Sequence, residues 1–490
     1  MQESVKAGAA AKPPFRQMNS LAPMVDVERR RDGVIVLRSP RPLGDLEKNI
    51  IAYLRRWSDE APDRLMLAER GPDKAWMRLT YGEMRAKADA VAQGLLDRGL
   101  GQDKPLMILS GNTLEHAIMT LGAMTVGVPV APVSIAYSLM SRDHGKLRHV
   151  FDLVRPAMIF AQQGRMYESA LKALDLKGVE IVAVSPPASL PASAFSDLLA
   201  AKSGSEVERA YAGVDHGTVA KILFTSGSTG LPKGVLNTQR MLCANQRMSE
   251  VLQAPEPESP PVVLDWLPWN HTMGGNAMFN GVMRLGGSIY IDGGRPLPGM
   301  FEQTVANLKE ISPTSFANVP VGYAMLADHL DADEALRRSF FKNLKSLAYG
   351  GASLPQELWE RYQELSIRTS GERIAFTTGW GSTETAPVVT TLHWAVEGSG
   401  IIGLPLPGCE VKMVPNGGKY ELRVRGPNVT PGYLRRPDLT AEAFDEEGFY
   451  KIGDAGKFVD PDDPKQGLRF DGRVAEDFKL NTGTWVSTGP

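Results

Sequence analysis

Apolar residues along the chain fall into short uninterrupted runs separated by longer stretches of helical spacing. Pro105 to Leu109, Val128 to Val133, Met158 to Ala161 and Glu180 to Val184 read as buried strands. Between the first two, Thr113 to Val126 has the length and spacing of a helix, giving the strand, helix, strand unit of a parallel sheet. The theme returns with Val219 to Phe224, Val262 to Leu267 and Ser288 to Ile291, which predicts a second α/β layer. Leu46 to Leu54 carry apolar residues at helical spacing, and Thr80-Tyr-Gly-Glu83 has the form of a capping box that opens another helix. The first thirty or so residues are mixed in character and are expected to be loosely ordered. After about Gly398 the texture changes: Glu410 to Val414 and Tyr420 to Arg425 alternate with Pro-Asn-Gly-Gly and Arg-Gly-Pro-Asn turns, which predicts a small β-barrel or β-rich subdomain. Asp460 to Gly467 reads as an exposed loop, and no repeat with a solenoid period is visible.

Composition narrows the class. At 490 residues, with 43% hydrophobic and 22% charged residues, the chain is an ordinary globular sequence of several structural units. A net charge of −2 supplies no basic excess for phosphate neutralisation, so nucleic acid is not the expected partner. Cys243 and Cys409 give neither a disulfide framework nor a zinc cluster, which fits a reducing cytoplasm. No run of 18 or more apolar residues is present, because Asn112, Glu115 and His116 interrupt the best candidate; neither a membrane span nor a secretory leader is expected.

One segment carries the chemistry. Thr225-Ser-Gly-Ser-Thr-Gly-Leu-Pro-Lys-Gly234 follows the apolar run Ala220 to Phe224 and combines glycines, hydroxyl residues and one lysine. Glycines let successive N–H groups turn toward an anion, Thr225, Ser226, Ser228 and Thr229 add hydroxyl donors, and Lys233 adds a positive charge, which is what polyphosphate binding needs. The Walker A spacing is absent, as is a dinucleotide fingerprint. On composition alone a Gly/Ser loop is more often a flexible connector. No H-E-x-x-H spacing supports a zinc hydrolase, and Ser226 and Ser228 lack the G-x-S-x-G elbow of α/β-hydrolases.

The order of those ten residues resembles the phosphate-loop signature of the acyl-adenylate-forming (AMP-binding) superfamily. Further matches follow in chain order: Trp266-Leu-Pro-Trp-Asn-His271, Tyr349-Gly-Gly-Ala-Ser353, Gly379-Trp-Gly-Ser-Thr-Glu384, Tyr450-Lys-Ile-Gly-Asp454 and Asp471-Gly-Arg473. The resemblance implies an α/β fold of two packed αβ sheet subdomains plus a small β-barrel subdomain. It implies a large adenylation domain over residues 1–470, with the barrel at about 398–470, and residues 471–490 as a hinge. It further implies that Thr225, Ser226, Gly227, Ser228, Thr229, Gly230 and Lys233 hold the β- and γ-phosphates of ATP. Thr383 would bond the α-phosphate, and Glu384 would hold Mg²⁺, a hard cation suited to carboxylate and phosphate oxygens. Gly350, Gly351, Ala352, Trp380 and Gly381 would flank the adenine, with Asp454 and Arg473 at the ribose. His271 would border the acyl pocket in a positioning role. Alone, Glu384 would read as a solvated acid, Asp454 as a turn residue and His271 as a structural histidine; their registered positions change that reading. The remaining six histidines, including His116 and His393, keep the structural reading.

Within the superfamily the chain is most similar to bacterial feruloyl-CoA synthetases. The likeness includes Val25-Asp-Val-Glu-Arg, Leu37-Arg-Ser-Pro-Arg-Pro-Leu, Pro132 to Asp143 and Glu476 to Ser487. This implies an aromatic, hydroxycinnamic acid as substrate with ATP and CoA, and a monomer or homodimer acting without nucleic acid or membrane. A planar acid needs a flat, largely apolar slot. Gly350, Gly351 and Gly381 would leave room for it, and Tyr323 is either a phenol-facing group or plain core. Relatives continue past the hinge for a further domain of roughly a hundred residues; Ala475 stands where many carry a charged hinge residue, and Lys479 matches a lysine used after the hinge turns. Weak or absent thioester formation by the 490-residue chain is the resulting expectation. Two other outputs fit the same residues: an adenylation domain feeding a carrier protein, and a non-catalytic sensor of ATP or acyl-adenylate.

Overall fold

The uninterrupted apolar runs become strands buried on both faces, in a computed structural model that describes residues 12–226, 230–254, 259–474, 477–479 and 485–487. All four residues of Leu106–Leu109 are buried, and this strand lies inside a seven-stranded sheet. Val130–Pro132 and Met158–Gln163 pair with it in parallel, and Glu180–Ser185 follows beyond Met158–Gln163. Val219–Ser226 joins on the other side, with Lys221 opposite Val130, and turns back into the antiparallel edge strand Pro232–Thr238. Full burial on both faces is what parallel strands covered by helices require.

Capping residues start the covering helices where the sequence marks them. Thr80 accepts from the Glu83 amide and the Glu83 carboxylate accepts from the Thr80 amide, so the capping box is formed at the start of Tyr81–Asp97. Thr113 caps Leu114–Thr125, which is buried from His116 to Thr125. The helix expected from Leu46 begins later, at Ile51–Glu60, because Asn49 and Ile50 are held instead by the Val214 carbonyl and the Gln239 side chain.

A second body is built around an 11-stranded sheet. Its parallel part, Ser315–Asn318, Ser346–Tyr349 and Ala375–Gly381, continues antiparallel through Val388–Leu392 and Ile401–Pro405 into Leu468–Arg473, Tyr450–Phe458, Lys419–Arg425 and Glu410–Asn416. A four-stranded sheet, Val262–Asp265, Ser288–Ile291, Leu65–Arg70 and Trp76–Thr80, is stitched to its edge where the Thr314 amide donates to the Val262 carbonyl at 2.8 Å. Val219–Ser226 therefore belongs to the first layer and not to the second, whereas Val262–Asp265 and Ser288–Ile291 do lie in the second body.

The N-terminal region, expected to be loosely ordered, is partly pinned. The Arg16 amide donates to the Arg373 carbonyl and the Arg373 amide to the Pro14 carbonyl, and Asp26–Arg29 forms a hairpin with Ile35–Arg38, whose Arg38 to Ile35 edge pairs with Glu410 to Met413. Among the described residues no helix is long and apolar enough to cross a membrane.

Candidate active site

The antiparallel strands Val219–Ser226 and Pro232–Thr238 bring Thr225 and Lys233 to the cavity. Thr225 and Lys233 are cross-strand partners, so both side chains reach the same wall. Gly230 adopts φ +80°, a left-handed conformation that favours glycine. Gly227, Ser228 and Thr229, expected to hold phosphates, lie outside the described residues, as do Ala475 and the side chains of Ser226 and Lys479. Lys233 Nζ sits 4.5 Å from the centre of the Tyr433 ring, a cation–π contact that holds the ammonium beside the acidic group described next.

Thr383–Thr385 forms a short 3₁₀ turn after the strand Ala375–Gly381. A side chain at Gly381 is sterically excluded, since a Cβ there would lie 1.9 Å from the Pro387 carbonyl oxygen. The close backbone approach presents Thr383 and Glu384, both nearly buried, to the cavity. The Glu384 carboxylate accepts from the Tyr433 hydroxyl at 3.0 Å, and Tyr433 and Tyr450 share a hydroxyl–hydroxyl bond of 3.3 Å. Burial, and then the neighbouring Glu384 charge, push both phenols well above their ordinary range, so they remain protonated donors to the carboxylate.

A second polar group faces the same space. The Trp380 indole N–H donates to Asp454 at 2.8 Å, and Arg473, the strand partner of Asp454, places its Nε 3.1 Å from the other carboxylate oxygen. Asp454 is 6% exposed, so its orientation is fixed by groups on both sides.

The apolar wall comes from an unusual turn. Met273–Met278 is π-helical, and Met273, Ala277 and Met278 line the cavity. π-Turns recur at functional sites because they re-aim side chains within a helix. Asn112 clamps the approach to it, donating to the Leu267 carbonyl at 2.9 Å and accepting from the Trp269 amide at 3.0 Å. His271 Nδ1 accepts from the Met273 amide at 3.3 Å, leaving the proton of the neutral ring on Nε2, and burial lowers the imidazole pKa from its ordinary value. Opposite, Gly350 lets Met273 approach: a Cβ there would be 2.9 Å from its sulfur. Together these walls enclose about 1010 Å³, enough for a ligand larger than a typical small metabolite.

The cavity brings together Thr225, Lys233, His271, Gly350, Gly351, Trp380, Gly381, Thr383, Glu384, Asp454 and Arg473. Three expected residues among those described, Gly230, Ala352 and Tyr323, are not in its lining. Ala352 is exposed beside it. Tyr323, considered as a phenol-facing group, is 0% exposed; its hydroxyl lies 2.8 Å from the carbonyls of both Phe316 and Ala348, and its ring packs against Tyr362 and Phe376. Tyr323 is core, because those carbonyls satisfy its one donor inside the sheet. Tyr323→Phe is expected to lower stability by about 1–2 kcal/mol in a urea melt while leaving ligand selection at the cavity unchanged. Sequence reasoning missed Tyr433, whose only local signal is the preceding Pro431-Gly432 turn, and the π-turn, signalled by the adjacent Gly274 and Gly275.

Known proteins resemble this chain in sequence and in fold. The sequence profile of the family described as AMP-binding enzyme matches residues 54–434. A 4-coumarate–CoA ligase-like protein of Arabidopsis thaliana is 27% identical over an alignment covering 78% of this chain, and the match spans 66% of that relative's length. A solved malonyl-CoA ligase with methylmalonyl-CoA and AMP bound is similar at 27% identity and TM-score 0.63, over 86% of this chain and 80% of that one. An anthranilate CoA ligase solved with anthranoyl-AMP shares the fold at TM-score 0.71 and 20% identity, over 91% and 80% of the two chains.

Proposed function

Because the chain belongs to the AMP-binding enzyme family, we propose that it activates a planar aromatic carboxylic acid, a hydroxycinnamate of the ferulate type, as the acyl-adenylate and passes the acyl group to coenzyme A. One observation carries this reading: a single cavity is lined both by the polar group of Lys233, Glu384, Asp454 and Arg473 and by the apolar side chains of Met273, Ala277 and Met278. The polar group suits a nucleotide and the apolar side chains suit an aromatic ring. In the reaction, a carboxylate oxygen of the acid attacks the α-phosphorus of ATP and pyrophosphate leaves; the sulfur of CoA then displaces AMP. Lys233 and the turn before it would receive the departing phosphates, and Thr383 is the residue proposed to bond the α-phosphate.

The residues present fit Mg²⁺. Among the described residues no three His, Cys, Asp or Glu side chains cluster as a metal cage. An ion beside Glu384 would therefore take its remaining ligands from phosphate and water, the habit of Mg²⁺ in phosphoryl-transfer sites. When bound, it would supply charge neutralisation at the phosphates. Cys243 and Cys409 are buried free thiols, which supports a cytoplasmic setting.

ATP–pyrophosphate exchange with ferulate, p-coumarate, benzoate and acetate tests the reading. Exchange fastest with the two hydroxycinnamates supports it, and exchange fastest with acetate, or none with any acid, contradicts it. Adding free CoA in one arm and a phosphopantetheinyl carrier protein in the other separates a CoA ligase from a carrier-feeding adenylation domain.

A further inference from the structure

A lysine with no counter-ion among the described residues lies behind the cavity. Lys221, on the strand Val219–Ser226, is 3% exposed. Its Nζ donates to the Gly275 carbonyl at 2.7 Å and to Asn276 Oδ1 at 3.2 Å, both on the π-turn Met273–Met278. Two acceptors fully satisfy the two N–H donors of a neutral amine, whereas an ammonium needs a third. Burial agrees, lowering the Lys221 pKa to about 7. His116 lines the small space beside Lys221 and is itself held to a pKa of about 4, first by burial, so it adds no charge there near neutral pH.

The contacts do not stop at the π-turn. Asn276 Nδ2 donates to Asn237 Oδ1 at 2.8 Å and to Thr272 Oγ1 at 3.1 Å, and Asn237 Nδ2 donates to the Thr383 carbonyl at 3.4 Å. Asn276 and Asn237 are both 0% exposed. The π-turn backbone has little freedom of its own, since a Cβ at Gly274 would lie 2.4 Å from the Leu267 carbonyl oxygen and one at Gly275 would lie 2.3 Å from that of Trp269. A fully satisfied buried polar chain of this kind fixes one arrangement, because breaking any link strands a donor or acceptor away from water.

We infer that Lys221 is a positioning residue for both halves of the reaction: it fixes the Met273–Met278 turn on the acyl side and, through Asn276 and Asn237, the Thr383–Glu384 turn on the nucleotide side. The inference rests on reading the cavity as a site for an acid and ATP together. If one buried chain sets both turns, a ligand that settles either turn favours binding at the other, and the coupling is reciprocal.

Calorimetry on the full chain tests this, with ferulate and magnesium α,β-methylene-ATP titrated separately and together. In the wild type each ligand is expected to tighten the other by about fivefold or more. Lys221→Met is expected to weaken both and to reduce the coupling below about twofold, with Lys221→Gln, which keeps two N–H donors, recovering part of it. Asn237→Leu cuts only the second link: ferulate binding without nucleotide is retained and the coupling is lost. It carries the test should Lys221→Met fail to fold. Wild-type affinities and coupling in a folded Lys221→Met, or undiminished coupling in Asn237→Leu, overturn the inference alone. A wild-type chain that binds neither ligand overturns the functional reading, and the inference with it.

Discussion

Glu384→Gln is expected to reduce ATP–pyrophosphate exchange by about 10²- to 10³-fold, the scale on which removal of a single charge-stabilising group acts. The substitution is nearly isosteric and keeps an oxygen to accept from the Tyr433 hydroxyl, now at 3.0 Å. The fold around the Thr383–Thr385 turn is therefore retained while the charge that magnesium and phosphate require is gone. Raising the magnesium concentration is expected to recover part of the loss, because the missing interaction is with the ion. Tyr433→Phe gives the complementary result: the charge stays but one bond orienting it is removed, and a smaller loss, about tenfold, follows from the lower end of the roughly 1.5–3 kcal/mol of a bond to a charged group. Exchange rates across a magnesium titration, for both variants, are the measurement.

Asp454→Ala is expected to raise the KM for ATP by about 10- to 100-fold, since hydrogen bonds to a charged group are each worth about 1.5–3 kcal/mol. The loss extends beyond the nucleotide. Removing the carboxylate leaves the Trp380 indole N–H, now bonded at 2.8 Å, buried without its acceptor and frees Arg473 from its partner. A stability decrease of about 1–3 kcal/mol accompanies the change, from the stranded indole donor. Asp454→Asn separates the two effects. Its carbonyl oxygen still accepts from Trp380, so the melt recovers, while the anionic acceptor remains absent and the KM for ATP stays high. Initial rates across an ATP series, paired with denaturant melts of both variants, check this.

Much of the local structure was legible in the chain. The capping box at Thr80 and the cap at Thr113 are short-range bonds whose partners lie three residues away, and both form. The apolar runs at Leu106, Met158, Glu180 and Ser288 become strands, most of whose residues are buried. Sheet membership was not legible. Asp26–Arg29 and Ile35–Arg38 find their place through pairing with Glu410 to Met413, and nothing within the first forty residues encodes that distant edge. Val219–Ser226 likewise joins the layer begun by Leu106 by passing over the intervening chain.

The site divides in the same way. Residues read from ordered motifs, Lys233, His271, Trp380, Thr383, Glu384, Asp454 and Arg473, meet at one cavity. Tyr323 was open to two readings because periodicity alone does not decide which side of Pro320–Ala332 faces the ligand; the Phe316, Tyr362 and Phe376 rings settle it as core. Tyr433 and Lys221 were invisible to motif reading because each acts through a partner remote in sequence, Glu384 and Asn276 respectively. Side chains that work through such partners declare themselves only once the chain is folded.

On the proposed function, one cavity holds an aryl acyl group and an adenylyl group joined to each other. Titration calorimetry with the non-hydrolysable sulfamoyl analogue of feruloyl-AMP tests it most directly. A single site per chain is expected to bind the analogue about 10²-fold or more tightly than ferulate or AMP alone, as befits a mimic of a reaction intermediate. Binding no tighter than that of AMP, or binding unaffected by excess ATP and ferulate, would contradict it.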